Sequence, residues 1–109
     1  MKIKRPSMSG HREPTVQNMK GKNGREIPNQ FEIFGHDENG IPIKVFQSYS
    51  STIAIIRAGQ AFSKHVTLDK EKWNYSRTTS KYRNIFLNES TKETEAKIKS
   101  GEYELADLN

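Results

Sequence analysis

Trp73-Asn74-Tyr75-Ser76-Arg77-Thr78-Thr79-Ser80-Lys81-Tyr82-Arg83-Asn84-Ile85-Phe86-Leu87-Asn88 gathers aromatic residues, basic charge and the clearest helix signal of the chain into one stretch. Ser76 suits a helix N-cap, because its hydroxyl can accept from a free N–H in the turn that follows; Thr78 is a second candidate. Beyond the cap, Thr78, Tyr82, Ile85 and Phe86 recur at three- and four-residue spacing, so this stripe is expected to pack. Arg77, Lys81, Asn84 and Asn88 then fall on the opposite face, which is polar and basic.

Upstream of the helix the periodicity turns from helical to extended. Phe31 to Phe34 reads as a strand, and His36-Asp37-Glu38-Asn39-Gly40 turns it back, with Asn39-Gly40 offering two positive-φ positions. A second strand runs from Ile43 to Tyr49. Its alternation puts Ile43, Val45, Gln47 and Tyr49 on one face, expected to meet the helix, and Lys44, Phe46 and Ser48 on the other. After the break at Ser50-Ser51, the β-branched residues of Thr52 to Arg57 favour a strand, although Ile53-Ala54-Ile55-Ile56 could equally open a short buried helix. Ala58-Gly59-Gln60 offers a turn, and His65 to Leu68 a fourth strand with Val66 and Leu68 inward. Downstream, Ser90 and Glu93 are spaced as a capping box for a second helix at about Thr91 to Lys99, stopped near Gly101. Tyr103 and Leu105 suit a short edge strand. The expected fold class is therefore α+β: a small antiparallel meander from Phe31 to Leu68 against one main helix, with a second C-terminal helix. The expected core is Phe31, Ile33, Val45, Ile53, Ile55, Val66, Leu68, Trp73, Tyr82, Ile85 and Phe86.

With 109 residues, 32% hydrophobic content and a mean hydropathy of −0.90, the chain has material for one small core. It has no cysteine, which excludes disulfides and thiolate zinc sites and is most simply read as a reducing compartment. The longest apolar run is far short of a bilayer span and the N-terminus lacks a signal-like apolar segment, so a cytoplasmic protein without a membrane partner is expected. The net charge of +5 is unevenly spread. Residues 1–25 hold seven basic and one acidic side chain, and 57–83 hold seven and two; 26–56 and 84–109 each come to −3. Residues 1–28, with Pro6, Pro14, Pro28, Gly10, Gly21 and Gly24 and no apolar periodicity, are expected to form a disordered basic tail, leaving 29–109 as the folded domain. Lys20-Gly21-Lys22-Asn23-Gly24-Arg25 lacks the spacing and the Ser or Thr of a phosphate-binding loop.

Two blocks resemble a known family: Phe46-Gln47-Ser48-Tyr49 with Ile53-Ala54, and Tyr75-Ser76-Arg77-Thr78-Thr79-Ser80-Lys81-Tyr82 with Phe86-Leu87. They are similar to a small domain of unknown function that recurs in bacteriophages and prophage regions, over roughly residues 30–88. The resemblance implies a phage accessory origin located in the host cytoplasm, and assigns no functional residue.

The residues themselves offer no catalytic constellation. His11, His36 and His65 sit in the tail, a turn and a strand without paired ligand spacing, so neither a metal nor another cofactor is expected. His65, Thr67 and Asp69 share a strand face that could support proton transfer, but no activated nucleophile stands beside them, and an enzyme is not expected. Arg57, Lys64, Lys70, Lys72, Tyr75, Arg77, Lys81 and Arg83 instead form a candidate binding set, since cations follow phosphates while aromatic rings stack on bases. Trp73 and Tyr82 read better as core anchors. The expected function is thus non-enzymatic contact with nucleic acid or a ribonucleoprotein through the basic helix face and the tail. The alternatives are an inhibitor of a host nucleic-acid-binding defence protein, such as a nuclease or a CRISPR effector, and a small virion component.

Overall fold

Eight elements follow one another through residues 14–59 and 64–109, the part of the chain that the computed structural model describes. They are β1 (Thr15–Lys20), β2 (Glu26–His36), β3 (Pro42–Ser48), β4 (Ser51–Ala58), β5 (Lys64–Asp69), α1 (Arg77–Leu87), α2 (Thr91–Lys99) and β6 (Tyr103–Ala106). The strands form one sheet in chain order, antiparallel from β1 to β5, with β6 parallel to β5. A parallel neighbour needs a long crossover, and α1 and α2 supply it. The α+β class expected from the sequence is the one observed. No helix of the described residues is long and apolar enough to cross a membrane.

The helix signal around Ser76 is accurate. Ser76 is the N-cap of α1 and accepts from the Thr79 N–H at 3.1 Å, while Asn88 closes the helix in the left-handed region at φ 57°. The capping box is equally explicit: Glu93 N–H donates to Ser90 Oγ at 3.1 Å and Ser90 N–H to Glu93 Oε1 at 2.9 Å. The buried stripe of α1, however, is Thr79, Arg83, Phe86 and Leu87, whereas Ile85 is 52% exposed. Relative to the expected stripe the helix is turned by about one residue, or about 100°.

The face of the sheet that α1 covers also differs from expectation. Phe46 stacks on Phe86 with ring centroids 5.6 Å apart, and the Ser48 and Thr79 hydroxyls are hydrogen-bonded at 3.0 Å. The helix therefore lies on the Lys44, Phe46 and Ser48 side of β3. Cross-strand register carries Ala54, Leu68 and Val66 to this side, where they join Met19, Phe86, Leu87 and Tyr103 in the core. A bulge after Phe46 leaves Ile53 as the extra residue of β4, so the consecutive Ile53 and Ala54 both enter that core. Phe31, Ile33, Val45 and Ile55, expected in the core, lie on the other side of the sheet; Val45 is buried and the other three are half-buried. Trp73 and Tyr82 pack on the core edge.

The expected disordered tail is overturned for the residues described. β1 and the first part of β2 form a hairpin whose turn closes through Gly21 N–H to Arg25 O at 2.8 Å, with Gly24 at φ 80°. Asn18 Nδ2 donates to Ile27 O at 2.9 Å, and Met19 is buried in the core. Pro28 is tolerated because the β1–β2 register is interrupted between Asn18 and Lys20, where no ladder N–H is required, and Asn29 adopts φ 65°. The rest of the expected tail, residues 1–13 with His11, lies outside the described residues, as does the end of the expected turn at Gln60. In the 37–41 turn, Gly40 has positive φ but Asn39 does not. Asp37 Oδ1 instead accepts from the N–H groups of Asn39 and Ile41 at 2.8 and 3.0 Å.

Candidate functional site

Where the chain leaves β5, the buried Asp69 carboxylate gathers three backbone N–H groups: Glu71 at 3.2 Å, Lys72 at 2.9 Å and Leu108 at 2.8 Å. That turn delivers residues 73–76 to the head of α1, where a cleft of about 550 Å³ opens. Asn74, Tyr75 and the cap Ser76 form one wall; Arg77, Ser80, Lys81 and Asn84 come from α1, and Thr91 from the start of α2. Arg77, Lys81 and Asn84 share a helix face by their four- and three-residue spacing. No carboxylate lines this cleft. Tyr75 is 51% exposed, Arg77 and Lys81 are exposed, and neither cation makes an ion pair among the described residues. Lys81 Nζ lies 5.3 Å from the Tyr82 ring centroid.

Behind the lining sits Arg83, which is 0% exposed. Its guanidinium lies 5.1 Å from the Trp73 ring centroid and donates to the Trp73 carbonyl oxygen. Nη1 also reaches Asn74 Oδ1 at 3.3 Å and Ser80 Oγ at 3.4 Å, while Nη2 donates to Asn84 Oδ1 and Thr91 Oγ1, each at 2.8 Å. Every one of these acceptors is neutral, and Nε has no partner. Burial pushes the Arg83 pKa down and the charge of Glu89 acts against it. An arginine remains protonated under such a load, so a positive charge stands directly behind the cleft wall.

Of the residues predicted from sequence, the structure brings Tyr75, Arg77 and Lys81 together on this cleft. Arg83 belongs beneath it rather than on the surface, because it supplies the donors that Trp73, Asn74, Asn84 and Thr91 require. Lys72 lies at the same end of the sheet, where its Nζ donates to Ser51 Oγ at 2.9 Å, and exposed Lys70 is nearby in sequence. Arg57 and Lys64 are at the opposite end. Arg57 pairs with Ile43, five residues along β3 from Ser48, a separation of roughly 17 Å, and its Nε is 3.1 Å from Asp37 Oδ2. Strand register extends the β1–β2 hairpin, with exposed Lys22 and Arg25 at its tip, beyond the cleft end of the sheet.

Sequence reasoning missed Asn74, Ser80 and Thr91 as lining residues. Ser80 is one turn from Arg77 and could have been found from helix spacing; Thr91 depends on how α2 follows α1, which no local pattern encodes. A second cluster was also missed. Glu89 Oε1 accepts from Lys97 Nζ and Tyr103 OH, both at 2.8 Å, and Oε2 from Thr94 Oγ1 at 2.6 Å, tying the interhelical loop to α2 and β6. On the other strand face His65 stands 4.0 Å from Glu104, and Asp69 is occupied by its three backbone donors.

In comparisons with known proteins, the model of a family of unknown function, DUF8033, matches residues 11–102. The match is longer than the 30–88 resemblance read from the sequence and takes in the β1–β2 hairpin. No curated protein and no solved structure matches the chain.

Proposed function

We propose a function for this chain, which belongs to the DUF8033 family of unknown function, from the cleft that its own residues build. It is a non-enzymatic accessory protein of a phage or mobile element that contacts nucleic acid, alone or in a ribonucleoprotein, through the head of α1 and the basic β1–β2 hairpin. The observation that carries this reading is the meeting of Tyr75, Arg77 and Lys81 on one cleft without a carboxylate, backed by the buried charge of Arg83. Arg77 and Lys81 neutralise phosphates and release their counterions; Tyr75 offers a ring on which an unpaired base stacks. An exposed ring beside cations suits a single strand better than a duplex, whose bases are already stacked.

The test is salt-dependent binding of the full chain to single- and double-stranded DNA and RNA. Neutralisation of about three or four phosphates makes log K fall against log salt with a slope of about −2 to −4, the shallower values for single strands. Arg77→Glu with Lys81→Glu should weaken binding to many sequences alike and flatten the slope, because phosphate contacts carry no base information. Absence of binding to every nucleic acid at low salt overturns the reading. One protein retained from host lysate after nuclease treatment, in that case, would favour the inhibitor of a host protein.

A further inference from the structure

We propose that the cleft recognises phosphate oxygens through the hydrogen-bond donors of Asn74, Arg77 and Lys81, with Arg83 as the positioning residue that turns the wall amide outward as a donor. This rests on the nucleic-acid reading for the source of the phosphate, and goes beyond it in assigning how the site selects its ligand. A guanidinium has five donors and no acceptor, so any amide bonded to it must turn its oxygen inward. Two amides of the cleft wall do this. Asn74 Oδ1 accepts from Ser80 Oγ at 2.7 Å and from Arg83, and Asn84 Oδ1 accepts from Arg83 at 2.8 Å. Rotating either amide by half a turn would set N–H against N–H in front of a buried cation. The Ser80 proton is committed to Asn74, and Thr91 Oγ1 accepts from Arg83.

The amide oxygens of the wall are thus spent on Arg83. What the wall amide and the two cations offer a ligand is the Asn74 Nδ2 group, the Arg77 guanidinium and the Lys81 ammonium, all donors, beside the hydroxyls of Tyr75 and Ser76, which can also donate to an anion. Arg83 adds charge from behind: it is fully buried, its hydrogen bonds reach no carboxylate, and its Nε is unpartnered. A buried cation whose hydrogen bonds reach no carboxylate is costly, the charge of Glu89 relieves that only in part, and an anion in the cleft offsets more of it. Bidentate reading of a base by asparagine needs the amide oxygen and nitrogen together, so neither amide reads a base edge in that way; the one base edge that two donors of Arg77 could still read is that of guanine. The ligand we assign is a phosphate group, held without regard to sequence, and a guanine-containing strand tests it against that alternative.

Asn74→Asp separates this from a structural role. The carboxylate keeps the acceptor that Ser80 and Arg83 use, gives the buried guanidinium an ionic partner, and replaces the outward donor by a negative oxygen. The probes are fluorescent ten-residue strands with hydroxyl ends, namely homopolymers of dA, dC and dT and an alternating dG-dT strand, the same strands 5′-phosphorylated, and inorganic tripolyphosphate. The wild type should bind the four strands within about fivefold of one another, as sequence-tolerant stacking allows. Asn74→Asp should weaken all four by at least about tenfold, the loss of a hydrogen bond to a charged group, while its urea midpoint stays equal or rises. Tighter binding of the phosphorylated strands or of tripolyphosphate identifies a terminal or free phosphate as the preferred source; equal binding identifies the backbone.

Undiminished strand binding by Asn74→Asp overturns the inference and leaves the nucleic-acid reading standing. So does a preference for one base approaching the roughly 5- to 150-fold that a bidentate contact supplies. Binding of tripolyphosphate alone, lost in Asn74→Asp, keeps the phosphate site and removes the nucleic-acid reading. No binding of any probe removes both.

Discussion

Replacing Arg83 with methionine keeps an aliphatic stem under α1 and removes the guanidinium. Three of its bonds fall on well-placed acceptors: the Trp73 carbonyl, Asn84 Oδ1 and Thr91 Oγ1. A net contribution of about 1.5–3 kcal/mol for each bond from a charged donor sets the upper bound of the loss. Against it stands the recovered cost of burying a cation, several kcal/mol, and the access of Asn84 and Thr91 to water from the cleft. Trp73, half-buried against the core, does not line the cleft. The expected net destabilisation is therefore about 2–4 kcal/mol, read as a lower urea midpoint and as a melting temperature reduced by roughly 10 °C or more. Arg77→Met and Lys81→Met, changes at exposed positions of the same helix, should stay within about 0.5 kcal/mol of the wild type. If Arg83→Met were as mild as those two, the buried arginine would not be holding the head of α1 and the proposed phosphate site would lose its support.

Phe86→Ala should cost about 3–5 kcal/mol in urea unfolding, because it empties the stack on Phe46, whereas Ile85→Ala, half exposed, should cost under about 1 kcal/mol; equal losses would mean that α1 is turned as its apolar residues alone suggest. Met19→Ala should cost about 2–5 kcal/mol, a loss that a disordered tail could not produce; an unchanged midpoint would detach β1 from the core. Stability should also follow the Glu89 cluster. Burial acts to raise the Glu89 pKa, but the bonds from Lys97, Thr94 and Tyr103 together hold it below the ordinary 4.5. Its contribution is thus present above about pH 4.5 and lost as pH falls through the lower folded value. Burial first, then Glu89, pushes the Tyr103 hydroxyl up to about 12, and the bond to Glu89 raises Lys97, so their contributions hold below about pH 10 and fade as pH rises beyond it. Urea midpoints between pH 2 and 11 should show both declines, and Glu89→Gln should flatten the acid one; an acid limb unaltered by Glu89→Gln would assign it to other carboxylates.

The elements of this fold were legible wherever a local device sets them. Ser76, Ser90 with Glu93, and Gly101 each terminate a helix through atoms within four residues, and the strands from β3 to β5 follow β-branched runs. What could not be read was which face of each element turns inward. On β3 both Val45 and Phe46 are fully buried, so alternation offers two answers, and only the bulge at Ile53 and the stack on Phe86 choose between them. The missed hairpin has a different cause. Pro28 and the glycines were weighed as breakers, yet Asn23-Gly24 is itself a turn signal between segments that could pair, and an interrupted ladder accommodates the proline.

The cleft was half legible for a reason that also ties it to the fold. Arg77 and Lys81, four residues apart, hold one helix face, whereas Arg83, two residues beyond Lys81, is carried about 200° around the axis and cannot share it. Spacing alone therefore separated the two rim cations from the third. It was the type of residue that misled, since arginine is almost never fully buried unless paired and is counted as surface by default. Here the pairing is supplied by oxygens from three stretches of chain: the Trp73 carbonyl and Asn74, Asn84 on α1, and Thr91 on α2. One guanidinium thus fastens the chain entering α1 to the chain leaving it, and the inward turn of oxygens that satisfies it leaves the Asn74 amide donor for the outward side of the cleft. The same contacts that stabilise the head of the helix give the cleft its preference for an anion, so a substitution that frees the amides should lower stability and anion binding together, while Asn74→Asp should weaken anion binding without lowering stability.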